Sequence, residues 1–154
     1  MEVVTVTLRP FRAEDVPVLM DVFQEAYREH PEYGESTPQK VKRYLRWLQR
    51  HHTFFQVAEV DGEVAGFIVV DAHWMDWHGE RIGEIHELVV HPKYWGKSVA
   101  RRLLEAGLEH IRAQGLKKAG LWVGEHNDRA LAFYRRFGFR PVSWGYWVRM
   151  VKSL

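Results

Sequence analysis

Asp61-Gly62 limits the folds open to this chain more than any other feature. The pair separates two β-like runs, Thr53 to Val60 and Glu63 to Asp71. A two-residue type I′ turn needs positive φ at both central residues, and Asp-Gly meets that need at little steric cost. A third run, Ile82 to Val90, follows the polar-aromatic stretch His73 to Arg81, which reads as a loop. Three successive strands joined in this way imply hairpin-linked strands at the centre of the chain.

Helical spacing brackets these strands. Val4 to Leu8 alternates as a strand, which Arg9-Pro10 stops. Val16, Leu19, Met20, Phe23 and Tyr27 mark an amphipathic helix over about Glu14 to Arg28. His30 to Ser36 is a loop by its Pro and Gly. Thr37-Pro38 fits an N-cap with Pro at the first helical position, and Val41, Tyr44, Leu45 and Leu48 follow on one face. Val99, Leu103, Leu104, Leu108 and Ile111 form a later stripe, with Gly115 placed as a C′ glycine. Lys118 to Val123 reads as a strand. Asn127 or Asp128 caps a last helix carrying Ala130, Tyr134 and Phe137, and Gly138 closes it. Phe139 to Val151 supplies one or two final strands, with a turn near Trp144-Gly145. The order β-α-α-β-β-β-α-β-α-β predicts an α/β (α+β) fold, with a mixed, mostly antiparallel central sheet and helices on both faces.

The 154 residues suit one domain, 1-154, with a core of its own. Seven Trp, eight Phe and six Tyr exclude a disordered chain. The absence of cysteine excludes a disulfide, a thiolate metal ligand and a Cys nucleophile. The formal net charge of +2 argues against a dedicated nucleic-acid binder. No run approaches the ~20 apolar residues of a membrane helix, and the start lacks a signal-peptide pattern, so a cytoplasmic location is expected. Nine histidines raise the question of a metal. However, His86-Glu87-Leu-Val-Val-His91 has one residue too many for H-E-x-x-H and lies on a strand, so none is expected.

Chemistry concentrates between Glu84 and Leu104, where a strand enters a short loop that opens a long helix. A helix start offers unpaired N–H groups and the positive end of the macrodipole. Small residues at Gly96, Ser98 and Ala100 would let a phosphate approach that backbone, and Lys93, Lys97, Arg101 and Arg102 add cations. An ordinary solvated turn is the plainer alternative. A nucleotide P-loop is a poor fit, because its first glycine would fall at position 91, which is His.

Two segments carry a family resemblance. Trp95-Gly96-Lys97-Ser98-Val99-Ala100 resembles motif A, [Q/R]-x-x-G-x-[G/A], of the GNAT superfamily of N-acetyltransferases. Ala100 agrees, whereas Trp95 stands for the usual Gln or Arg and Ser98 for the central Gly. Asn127 to Phe139 is similar to motif B, N-x-x-A-x-x-[FL]-Y-x-x-x-G-F, with every fixed position filled.

The resemblance implies the GNAT acyl-CoA N-acyltransferase fold. Acetyl-CoA would bind as acetyl donor between splayed strands Ile82–Val90 and Lys118–Val123, with no metal. The backbone of Leu88, Val89 and Val90 would hold the pantetheine arm and polarise the thioester carbonyl. Trp95, Gly96, Lys97, Ser98, Val99 and Ala100 would form the pyrophosphate cradle, with Arg101 as a further phosphate contact and Asn127 near the pantetheine. Tyr134 would protonate the departing thiolate. Glu84 and Glu87 both stand as candidates to assist amine deprotonation, with His86 and His91 as alternatives. On a regular strand the two glutamates would face opposite ways, unless a bulge intervenes. The implied reaction is direct acetyl transfer to a primary amine on a small molecule or peptide. The alternative is a CoA-binding sensor or regulatory module with little or no transfer. Exposed aromatics near the terminal strands are compatible with a homodimer.

Overall fold

The computed structural model describes residues 4–154, so Met1 to Val3 of the alternating start lie outside the described residues. A seven-stranded sheet runs in the order β1-β2-β3-β4-β5-β7-β6. Its strands are β1 (Val6–Pro10), β2 (Phe54–Val60), β3 (Glu63–Met75), β4 (Arg81–Val90), β5 (Lys118–Gly124), β6 (Arg140–Ser143) and β7 (Trp147–Ser153). Among the described strands, only the β4–β5 pair is parallel. The helices are α1 (Val16–Ala26), α2 (Pro38–Arg50), α3 (Val99–Ala113) and α4 (Asp128–Arg136). This is the mixed, mostly antiparallel sheet that the element order predicts.

Local chemistry accounts for the joints. Asp61 and Gly62 take φ of 52° and 80°, which are the two positive angles of the β2–β3 turn. Thr37 Oγ1 accepts from the Lys40 N–H at 3.2 Å and caps α2, with Pro38 at its first position. Gly138, at φ 89°, follows the end of α4.

Two boundaries differ from the sequence reading. β1 spans Val6–Pro10 rather than Val4 to Leu8, and Arg9-Pro10 does not stop it. β1 is an edge strand, so the missing Pro10 N–H costs it little. Arg9 also anchors it through Asp15, at 2.8 and 2.7 Å. The supposed loop from His73 to Arg81 shrinks to 76–80, because β3 continues through Trp74 and Met75. Asp76 Oδ1 closes the turn by accepting from the N–H groups of His78 and Glu80, both at 2.9 Å.

The sheet buries both faces. Leu19, Phe23, Val41, Leu45 and Leu48 from α1 and α2 pack on Phe55, Val57, Phe67, Val69 and Val89. Leu103, Leu104, Leu108 and Ile111 of α3 pack on Ala58, Ile68, Val70 and Ile85. β3 therefore contributes alternate residues to two cores and reads as an almost continuous apolar run. Gly83 and Gly107 allow α3 to sit close, since a Cβ on either would strike Ile111 or Ile68. No described helix is long and apolar enough to cross a membrane.

Candidate active site

The parallel contact between β4 and β5 is short. Their register pairs only Gly83 with Ala119 and Glu84 with Gly120. Beyond that vertex the strands diverge, and the β5-facing edge of β4 has no ladder partner among the described residues. A cleft of about 660 Å³ occupies the fork. Leu88, Val89 and Val90 border one side, and Leu121 and Val123 border the other. Tyr134, Asn127, Arg129 and Phe133 of the α4 region and Tyr27 and Tyr33 of the α1–α2 region complete the walls.

The cradle residues lie at one end of this cleft. Gly96 and Ser98 both have positive φ, 79° and 67°. Ser98 thus takes the left-handed conformation that a glycine would adopt without strain, at a cost of about 1–2 kcal/mol. The first N–H groups of α3 have no intrahelical acceptor, as at any helix start. Lys97 differs, because its N–H bonds to the Tyr94 carbonyl at 3.3 Å. Its side chain instead borders a smaller depression beside the cleft, together with Arg101 and Arg102. Arg101 also borders the main cleft, but its guanidinium pairs with Glu105 at 3.1 Å. Trp95 donates its indole N–H to the Val90 carbonyl at 2.9 Å, and its ring lies 4.1 Å from the Arg129 guanidinium.

The two candidate glutamates occupy different settings. The β3–β4 register pairs Val69 with Glu87 but Val70 with Ile85, so His86 is the extra residue of a bulge. His86 and Glu87 consequently both face α1 and α2. Glu84, opposite Asp71, lies on that face as well. Glu87 borders the cleft, where its carboxylate accepts from the hydroxyls of Tyr27 at 2.6 Å and Tyr44 at 2.8 Å. Burial raises its pKa, and the two phenol donors oppose that rise. Glu84 does not border the cleft. It sits at the vertex, with both oxygens held by Arg149 at 2.7 and 2.8 Å. Burial raises its pKa against the pull of that guanidinium.

His86 also borders the cleft, packed edge-on against Trp47 and Trp74. Its Nε2 is buried without a hydrogen-bond partner, 3.8 Å from Asp71. Burial pushes this imidazole down to about 4, although Asp71 pulls the other way. His91 instead accepts from the Lys93 N–H, outside the cleft lining. Tyr134 is buried with its ring against Phe139 and Phe133. Burial, and then the nearby Glu87 charge, raise its phenol pKa well above the ordinary value. Asn127 caps α4 by accepting from the Ala130 N–H at 3.3 Å, and it borders the cleft too. Among the described residues, no three His, Asp or Glu side chains gather as a metal site.

Three features around the cleft are not legible in the sequence. Tyr27 and Tyr44 fall on apolar helix faces, so their periodicity matches plain core residues and says nothing of a shared carboxylate. Arg129 occupies a variable position of motif B. Arg149 carries no local signal at all, because its partner lies two strands away.

Residues 18–139 match the acetyltransferase (GNAT) family. An uncharacterized N-acetyltransferase of Archaeoglobus fulgidus is 37% identical over 135 residues, which cover 86% of this chain and 92% of that protein. The crystal structure of PH1933 from Pyrococcus horikoshii OT3 is similar at a TM-score of 0.87 and 33% identity, over 97% of this chain and 99% of that one. The PaiA N-acetyltransferase of Thermoplasma acidophilum, crystallised in complex with coenzyme A, shares the fold at a TM-score of 0.79 and 21% identity, over 97% and 99% of the two chains. On this match in sequence and in fold, the chain belongs to the GNAT family of acetyltransferases.

Proposed function

We propose that this protein transfers the acetyl group of acetyl-CoA directly to a primary amine on a small molecule or peptide. The carrying observation is the fork between β4 and β5, which brings an unpaired strand edge, a buried carboxylate and a buried phenol to one cleft. The residues present suit the donor. The free edge of Leu88–Val90 offers backbone hydrogen bonds to a pantetheine arm, and the α3 start offers N–H groups and cations to its phosphates.

In this reading the amine nitrogen attacks the thioester carbonyl carbon. Its lost proton is taken up at Glu87, which the Tyr27 and Tyr44 hydroxyls hold in place. The C–S bond then breaks, and Tyr134 gives its proton to the departing thiolate. Glu84 is not assigned this role, because Arg149 occupies both of its oxygens. Donor hydrogen bonds aimed at the developing oxyanion come from the β4 backbone.

Calorimetry with CoA and a thiol-release assay across an amine panel test the proposal. Binding together with turnover supports it. Binding without turnover on any amine supports a sensor module instead, and no CoA binding refutes both readings.

A further inference from the structure

We infer that Arg129, held by Trp95, is the side chain that binds the pyrophosphate of CoA in this protein. The inference rests on the CoA-binding reading above. Trp95 stands at the head of the loop beside Gly96 and Ser98, and its indole brings no charge. Its N–H is already committed to the Val90 carbonyl at 2.9 Å. That bond fixes the ring, and the ring face receives the Arg129 guanidinium at 4.1 Å. Such a contact holds a cation in place without neutralising it.

The local electrostatics favour an anion beside this guanidinium. Arg129 lies in the first turn of α4, where the helix dipole disfavours a cation. Among the described residues, no carboxylate pairs with it. It borders the same cleft as Gly96, Ser98 and Ala100. A pyrophosphate there would meet the N–H groups of one helix start and the guanidinium from another. The other two arginines lining this cleft are less suited, and Lys97 and Arg102 border the neighbouring depression instead. Arg101 is paired with Glu105. Arg136 leaves α4 seven residues later, about 10 Å along the helix axis.

Arg129→Ala tests this, because the side chain is exposed and its loss should leave folding intact. The wild type and variant are titrated calorimetrically with CoA, dephospho-CoA and pantetheine. Arg129→Ala should weaken CoA and dephospho-CoA roughly tenfold or more and leave pantetheine unchanged. Trp95→Arg in the Arg129→Ala background should recover much of the loss, since it returns a cation to the loop. An Arg129→Ala protein that binds CoA as the wild type does overturns the inference alone. A loss confined to CoA, and absent with dephospho-CoA, overturns the pyrophosphate assignment. Failure of the wild type to bind CoA overturns the proposed function and this inference with it.

Discussion

Glu84→Gln separates a structural glutamate from a catalytic one. Glu84 and Arg149 are 3% and 4% exposed and joined by two short hydrogen bonds. Their pairing bridges β4 to β7 across β5. It is possible because Gly120 leaves room, since a Cβ there would strike the Arg149 guanidinium. Glu84 and Gly120 are also the last residues at which β4 and β5 pair before the fork. The substitution preserves shape but leaves a buried cation uncompensated, which costs about 3–5 kcal/mol. Unfolding entropy is about 2.1 cal/mol/K per residue, or about 0.3 kcal/mol/K for this chain. The loss therefore lowers Tm by roughly 9–15 °C.

Thermal melts followed by circular dichroism read this directly, and turnover is measured at 25 °C on the folded protein. The expected pattern is a large Tm drop with kcat within about threefold of wild type. Glu84→Leu combined with Arg149→Met should recover most of the stability, because removing both charges leaves neither one buried alone. A Glu84→Gln protein with an unchanged Tm and no turnover would sink the argument. Glu84 would then be the base, and the ion pair would contribute little.

Other consequences follow from the same site. Tyr134→Phe removes the proposed acid while keeping the ring, so kcat should fall about 100-fold or more with CoA affinity within twofold; an unchanged kcat in steady-state assays removes Tyr134 from the mechanism. His86 gives a pH signature. Its folded-state pKa, about 4, lies below the ordinary histidine value of about 6.5. The folded state thus resists a proton that the unfolded chain accepts, so the stability linked to His86 is complete above about pH 6.5 and is lost as pH falls towards 4. The ceiling is about 3 kcal/mol. Urea titrations from pH 7 to 4 should show this slope in the wild type and a flatter one in His86→Gln; parallel slopes would contradict the assignment.

Much of the fold is legible because its determinants are local. Asp61-Gly62 encodes two positive φ angles in two residues, and Thr37-Pro38 encodes a helix start in two more. Motif B is legible for a related reason: its fixed positions all lie on one capped helix and the turn after it. The errors fall where a neighbouring strand decides. Trp74 and Met75 have a loop-like setting, yet pairing with Ile82 and Arg81 draws them into β3. Pro10 reads as a stop until β1 proves to be an edge.

Glu84 and Glu87 are the clearest instance. They are the same residue type, three positions apart on one strand, and nothing local distinguishes them. A one-residue bulge at His86, set by register with β3, turns both to the α1–α2 face. From there, what surrounds each is supplied from elsewhere. Gly120 and Arg149, on β5 and β7, bind Glu84 into the vertex, while Tyr27 and Tyr44, from two helices, hold Glu87 open to the cleft. The sequence places two carboxylates on one strand, and only the register and the neighbouring strands tie one into the frame and leave the other at the cleft, where the proposed reaction needs a base.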